Sequence, residues 1–297
     1  MLVDIVDWVL LGKCNLRCLH CHGPDKHIRS LPEPSLRLIA TRLAVMKPTW
    51  VVLTGGEPLL VPEFGVVVRQ LAESGIKVAL STNTTLFLKF EKLIRDYVSS
   101  LNIPLDGSTA AIHAASRKNE SSFHTFLGVL NHYRNNPDRR PPILRVGSVY
   151  SSASRGDFLA IARLLEPYAD LIDTWKIYEL VNHEVQPDLR RTIIHQHGWF
   201  AEEMETLLTS GSPLAEKILV APASGRNKAF FMINPQGMLV VPTNVDGVTR
   251  ELEIGHFLET PLNELIAKWS NHVTSENYYG NHKGHYDKLP MKTRAAS

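Results

Sequence analysis

The feature that most constrains this chain is a repeated alternation. Short, continuous apolar runs closed by polar or glycine-rich turns are separated by stretches whose apolar residues recur at helical spacing. Trp50, Val51, Val52 and Leu53 form one such run and end in Thr54-Gly55-Gly56. The preceding stretch, 35–46, carries Leu36, Ile39, Leu43 and Met46 on one helical face. A run with no polar alternation belongs to a strand covered on both sides, the pattern of a parallel sheet between helices. The spacing predicts a helix over 63–74, stopped by Gly75. Further strands are expected at 77–81, 101–105, 144–149 and 175–181, with helices at 87–97, 122–134 and 157–168. Together with the apolar run ending at Leu11 they make six right-handed βαβ-type strands. The pattern leaves open a full barrel, a partial barrel or a doubly wound sheet. In each, ligands bind at the C-terminal strand ends, where the unusual residues gather: the cysteine loop, Gly55-Gly56-Glu57, Ser81-Thr82-Asn83 and Asp106-Gly107.

Composition removes several function classes. At 297 residues and 44% hydrophobic content the chain can build a sizeable core. A formal charge of +2 carries no global signature of a nucleic-acid binder. Asp4 and Asp7 interrupt the apolar N-terminus and no small-residue cleavage site follows, so a strand is expected there and not a secretory signal. No uncharged apolar run approaches the roughly eighteen residues of a membrane span. The three cysteines all fall between Cys14 and Cys21. Cysteines so packed cannot staple a domain of this size; they read as ligands, and place the protein in a reducing, cytoplasmic compartment.

The later part changes character. A helical stretch over 188–208 precedes Ser210-Gly211-Ser212-Pro213, a turn cluster read as a boundary. Beyond it, 229–234 and 238–242 flank Pro235-Gln236-Gly237 as hairpin strands, and 261–269 reads as a helix with Leu262, Leu265, Ile266 and Trp269 on one face. The expected organisation is a core over 1–210, a small α+β cap over 211–270 and a tail over 271–297, loosely ordered unless it docks.

Cys14, Cys18 and Cys21 stand at C-x3-C-x2-C spacing, which lets three thiolates converge from one loop. Three ligands leave one iron of a four-iron cluster open, whereas a structural zinc site takes four, with His20 or His22 as the fourth. Spacing alone leaves both open, along with a chance grouping of buried thiols. Gly55-Gly56-Glu57-Pro58 adds a carboxylate able to pair with an ammonium and glycines that permit close approach of a ligand to backbone.

Over roughly 3–181 these motifs resemble the radical S-adenosylmethionine (radical SAM) superfamily: Cys14-Asn15-Leu16-Arg17-Cys18-Leu19-His20-Cys21, Gly55-Gly56-Glu57-Pro58, Ser81-Thr82-Asn83, and Ile103-Pro104-Leu105-Asp106-Gly107 with His113 and Arg117. The resemblance implies a partial (β/α)6 TIM-type barrel with a small α+β C-terminal extension. It also implies one [4Fe-4S] cluster on the three cysteines, its fourth iron chelated by the amino and carboxylate groups of S-adenosyl-L-methionine. Gly55, Gly56 and Glu57 would meet the methionine moiety, Ser81 and Asn83 its carboxylate or ribose, and His20, at a position commonly aromatic, the adenine. Ser148, Tyr150, Lys176 and Tyr178 lie on strands where the family places adenosyl or substrate contacts. The implied chemistry is reductive cleavage to a 5'-deoxyadenosyl radical that abstracts hydrogen from substrate, the electron coming from a flavodoxin or ferredoxin. Residues 228–269 resemble SPASM or twitch extensions, but Thr243 stands where a cysteine is usual, so auxiliary clusters are not expected. Relatives with such extensions often modify ribosomally made peptides while other members act on a nucleoside, sugar or small cofactor precursor; the sequence does not choose between these substrate classes. A non-catalytic zinc or iron-sulfur protein is the alternative of another class. Arg139-Arg140, Arg190-Arg191, His195 and His197 read as surface or helix residues, and the histidines and tyrosines of the tail as a mobile segment.

Overall fold

The computed structural model describes residues 3–21, 23, 25–183 and 196–278. His22, Arg190, Arg191, His195 and the tail's Tyr279, His282, His285 and Tyr286 lie outside them, as does the side chain of His197.

Six strands and their helices follow the expected alternation: β1 (Ile5–Val9), α1 (Glu33–Met46), β2 (Trp50–Thr54), α2 (Phe64–Glu73), β3 (Lys77–Ser81), α3 (Phe87–Tyr97), β4 (Ser100–Pro104), α4 (Ala110–Arg117), α5 (Ser121–Asn135), β5 (Ile143–Tyr150), α6 (Phe158–Leu165) and β6 (Thr174–Glu179). Then come the helix His197–Leu208, β7 (Ile218–Ala221), β8 (Met232–Ile233), β9 (Met238–Val245), β10 (Val248–His256) and the helix Leu262–Ser270. One sheet runs in the order β10-β9-β8-β1-β2-β3-β4-β5-β6-β7. Strands β1 to β7 are parallel, β8 is parallel to β1, and β9 is antiparallel to both β8 and β10. At one end of this order β10 meets the segment that follows β6, where Thr249 N–H donates to the Asn182 carbonyl at 2.9 Å. The architecture is the parallel α/β arrangement expected.

Strand alternation divides the sheet into two unlike faces. Trp8, Leu53, Val78, Leu80, Leu101, Val146 and Trp175 point at the helices and join the main core. Against them α1 sets Leu36, Ile39 and Leu43, all buried; truncating one of these to alanine costs about 2–5 kcal/mol. On the inner face Ile5, Trp50, Val52, Ala79 and Ile143 form a separate buried cluster. Farther along the strands the inner-face residues Thr54, Ser81, Asn102, Lys176 and Tyr178 keep partial exposure, as does Asp7 in the middle of β1. The interior is therefore a lumen with a dry floor and a wetted upper wall.

Three features depart from the sequence reading. β8 is only two residues long, and the main hairpin is β9–β10, turned at Asp246-Gly247 with φ of 52° and 79°. Two positive φ values are what a type I′ hairpin turn requires, and Asp-Gly is its usual pair. The charged run Thr249 to Glu253 hid β10, since an edge strand exposed on both faces has no apolar period. Strand β7 and helix α4 were also not anticipated. Finally, Tyr278 is buried: its ring lies 5.2 Å from that of Trp269, while its hydroxyl accepts from Ile5 N–H at 2.6 Å and donates to the Ile5 carbonyl at 2.9 Å. The chain thus stays docked on β1 as far as that residue.

Candidate cofactor site

The cysteine loop leaves the end of β1 and is held from three sides. Leu10 N–H still pairs with the Thr54 carbonyl at 2.9 Å, Gly12 N–H reaches the Ile28 carbonyl at 2.9 Å, and Leu19 N–H donates to the Ser116 carbonyl at the end of α4 at 2.7 Å. Cys18 is buried and Cys14 and Cys21 are half-buried, all as free thiols. The three interact electrostatically with one another. Burial pushes the Cys14 thiol up and Cys18 up to about 11, against the opposing charge of Arg117 beside Cys18. Metal binding must therefore displace protons from this loop.

The glycines of Gly55-Gly56-Glu57 are required by the cysteine loop itself. Gly55 has φ of +150°, and a Cβ there would lie 2.6 Å from the Leu11 carbonyl oxygen. At Gly56 a Cβ would sit 2.2 Å from the Lys13 carbonyl oxygen and 2.3 Å from that of Gly12. The two loops run against each other through Gly56 N–H to the Leu11 carbonyl at 2.8 Å and Glu57 N–H to the Lys13 carbonyl at 3.0 Å. Close backbone approach is the expected physics, with the neighbouring loop as the partner. Both glycines retain partial exposure.

Glu57 is fully buried and faces the next loop. Its Oε1 accepts from Leu59 N–H at 3.1 Å and the Thr82 hydroxyl at 2.8 Å, and its Oε2 accepts from Asn83 N–H at 2.7 Å. Burial raises its pKa to about 7 despite these three donors. Asn83 continues the link: its Nδ2 donates to Asn15 Oδ1 at 2.7 Å and lies 3.7 Å from Cys14 Sγ, while its Oδ1 accepts from the Thr85 hydroxyl at 2.6 Å. Ser81 ends β3 on the lumen face, its hydroxyl accepting from Asn102 Nδ2 at 3.0 Å. Gly55, Gly56, Glu57, Asn83 and Cys14 are thus one connected unit.

Beneath the loop lies a second buried unit. Asp106 Oδ2 stands 2.6 Å from Arg117 Nε and 3.7 Å from His20 Nε2, and its Oδ1 accepts from Val149 N–H at 2.7 Å. Burial opposes ionisation of Asp106, yet Arg117, His20 and His113 outweigh it and hold the carboxyl below its usual range. His113 accepts from Asp106 N–H at 3.1 Å, and burial with the Arg117 charge lowers its pKa to about 4, so the ring is neutral. Its Nε2 faces Ser122 Oγ at 2.9 Å. This unit joins His20 and Cys18 to α4. Its signal in the sequence was the pair His113 and Arg117, four apart on an Ala-rich helix capped by Thr109, whose hydroxyl accepts from Ile112 N–H at 3.3 Å.

Ser148 is not brought to this site. Alternation along β5 turns it toward the helices, where its hydroxyl donates to the Leu105 carbonyl and accepts from Trp175 Nε1 at 2.9 Å. Tyr150, on the same face, packs on Phe158 and Phe200.

Residues 8–137 match the family model described as the radical SAM superfamily. This stretch is a radical SAM domain. It contains both the cysteine loop and the Gly-Gly-Glu loop. An AdoMet-dependent heme synthase of Methanosarcina barkeri is 32% identical to the chain over 131 residues, 41% of this chain and 37% of that protein. A probable GTP 3',8-cyclase of Pyrococcus horikoshii is 35% identical over 103 residues, 33% of this chain and 32% of its own length. The chain thus spans about a third of the length of these curated relatives. Beyond the radical SAM domain the likeness is one of fold. The structure of native anSMEcpe with bound AdoMet superposes with a TM-score of 0.69 at 12% identity, covering 91% of this chain and 83% of that one. Streptococcus suis SuiB bound to S-adenosylmethionine gives 0.64 at 12% identity, over 94% of this chain and 67% of that one. Among the described residues no helix is long and apolar enough to cross a membrane, and no three His, Cys, Asp or Glu side chains gather tightly enough to hold a single metal ion. Cys14, Cys18 and Cys21 lie on one loop and act electrostatically on one another, an arrangement that fits three ligands to a four-iron cluster with one iron open.

Proposed function

We propose that the protein is a radical SAM enzyme acting on a peptide or small molecule admitted to the lumen. The observation that carries the reading is the linkage of the cysteine loop to the ends of β2 and β3 through Gly56, Glu57 and Asn83. A simple metal-storage loop has no use for it.

Cys14, Cys18 and Cys21 would hold the [4Fe-4S] cluster, with Gly55, Gly56, Glu57, Ser81, Asn83 and His20 around S-adenosylmethionine. Once bound and reduced, that pair supplies a 5'-deoxyadenosyl radical for hydrogen abstraction. The chain's own contribution is positioning and exclusion of water. Glu57 supplies negative potential near the loop that would receive the cofactor's ammonium, and its three donors hold the carboxyl in one place. The Asp106–Arg117 pair fixes α4 beneath Cys18 and His20. Ser148 serves to join β4, β5 and β6. A flavodoxin or ferredoxin is the proposed reductant, and the β9–β10 hairpin with its helix is a cap without an auxiliary cluster.

The test is anaerobic reconstitution with iron and sulfide, dithionite reduction, and chromatographic detection of 5'-deoxyadenosine from S-adenosylmethionine. Production that disappears in a triple Cys-to-Ala variant supports the reading. A site that takes up only zinc overturns it.

A further inference from the structure

One wall of the lumen is basic. Arg145 on β5, Lys176 and Tyr178 on β6, and Arg226 on the turn after β7 share the inner side of the sheet's β5–β7 end. Lys176 Nζ lies 4.7 Å from the centre of the Tyr178 ring, and the Arg226 guanidinium carbon lies 5.7 Å from the same ring. Arg226 donates to the Glu179 carbonyl, while its Nε is buried with no hydrogen-bond partner among the described residues. Asp7, across the lumen on β1, acts electrostatically on Lys176 and Tyr178.

Two physical points make this wall a binding surface. First, Lys176, Tyr178 and Arg226 lie deep in the molecule yet keep accessible area, as groups lining a wetted recess do. Second, the cations oppose one another: burial, then the charges of Arg145 and Arg226, push the Lys176 pKa well down, and burial brings Arg226 down to about 10. Burial also holds the Tyr178 phenol protonated, as a donor. An arriving anion adds negative charge beside these cations and supplies an acceptor to the Arg226 guanidinium, whose Nε has none among the described residues.

We infer that Arg145, Lys176, Tyr178 and Arg226 form the substrate-anchoring site, which takes a compact anionic group, a phosphate or a carboxylate, from the molecule on which the radical acts. The inference rests on the proposed radical chemistry and narrows its substrate. Tyr178 and Arg226 lie toward the C-terminal ends of β6 and β7, the side on which the cysteine loop leaves β1, with Lys176 and Arg145 lower on the same wall, so a substrate held there by its anion directs its remainder toward β1 and β2.

The probes are inorganic phosphate and glutarate, titrated calorimetrically into the cluster-loaded full chain. At least one should bind with unit stoichiometry. Lys176→Met and Arg226→Gln should each weaken it by at least about tenfold, the scale of one lost charge-assisted hydrogen bond. Lys176→Arg should retain most of the affinity, and Arg134→Gln, on an exposed helix face, all of it; circular dichroism checks that each variant is folded. Phosphate alone binding identifies a phosphate ester as the substrate class, and glutarate alone a carboxylate. Absence of binding by either probe, or equal binding in folded Lys176→Met and Arg226→Gln variants, overturns the inference. Cofactor cleavage by the same samples is read separately. Cleavage without anion binding removes the anchor and leaves the radical reading; absence of a reducible cluster removes that reading.

Discussion

The loops at the ends of β1 to β3 and the wall of β5 and β6 both face the same lumen, yet they are built in opposite ways. At the loops, polar groups are consumed by the protein: Glu57 accepts three hydrogen bonds, and Asn83 ties Asn15 to Thr85. On the wall, Lys176, Tyr178 and Arg226 keep accessible surface. A cluster needs loops whose geometry is set before it arrives, and a substrate needs groups that gain a partner when it arrives. The first is rigidity within the fold; the second is the recognition proposed for the wall.

The contrast breaks most readily at Gly56. Gly56→Val drives a side chain into the Gly12 and Lys13 carbonyls, so the loops must separate and cluster loading, read by the iron-to-protein ratio and the visible absorption of the cluster, should be lost. Asp106→Ala should be next, at about 3–5 kcal/mol in urea unfolding, because it leaves Arg117 charged and buried without its partner. Only a loss confined to stability, with lumen anion binding retained in the folded fraction, fits the division drawn above.

Glu57 sharpens the contrast through pH. Its folded pKa of about 7 lies above the ordinary 4.5, so between these values the folded state holds a proton that the unfolded chain has released. Stability of the cluster-free protein should therefore fall as pH rises from about 4.5 to 7, by on the order of 3 kcal/mol, and level off above. Glu57→Gln should remove this slope in urea titrations at pH 5 and pH 8. In wild type, affinity for S-adenosylmethionine should weaken as pH drops below about 7, since protonation cancels the charge that would attract the ammonium. The smallest effect belongs to the hairpin: Gly247→Ala, at φ of 79°, should cost about 1 kcal/mol in thermal unfolding and leave cofactor cleavage unchanged.

Much of the fold was legible because buried parallel strands and amphipathic helices leave periodic signatures in the chain. Helix α4 was not read, although Thr109 and the Ala-rich run after it mark a capped helix. β10 was obscured by Arg250, Glu251 and Glu253, which on an exposed edge strand follow no apolar period. In the site, the cysteine spacing and the Gly55-Gly56-Glu57 turn stood out in the sequence, and the resemblance to the radical SAM superfamily supplied the roles proposed for them. Asn83 and Asn15 become partners only when loops distant in sequence are brought together, and Asp106 meets Arg117 because α4 turns the chain back over the end of β4.

The sequence alone determined the parallel α/β arrangement, the single cysteine loop and the glycine motif beside it, because each rests on contacts or periodicities a few residues long. Tertiary structure decided which way each strand residue points and what it meets. Ser148 and Lys176 lie on neighbouring strands, but pleating sends Ser148 into the helix-packed layer and Lys176 into the lumen. Likewise, Gly56 was legible as a site of close approach, but only folding showed that the backbone approaching it is the cysteine loop. The physical reason is the same in both cases: strand parity and loop contact depend on register between segments far apart in the chain, and no local pattern encodes that register.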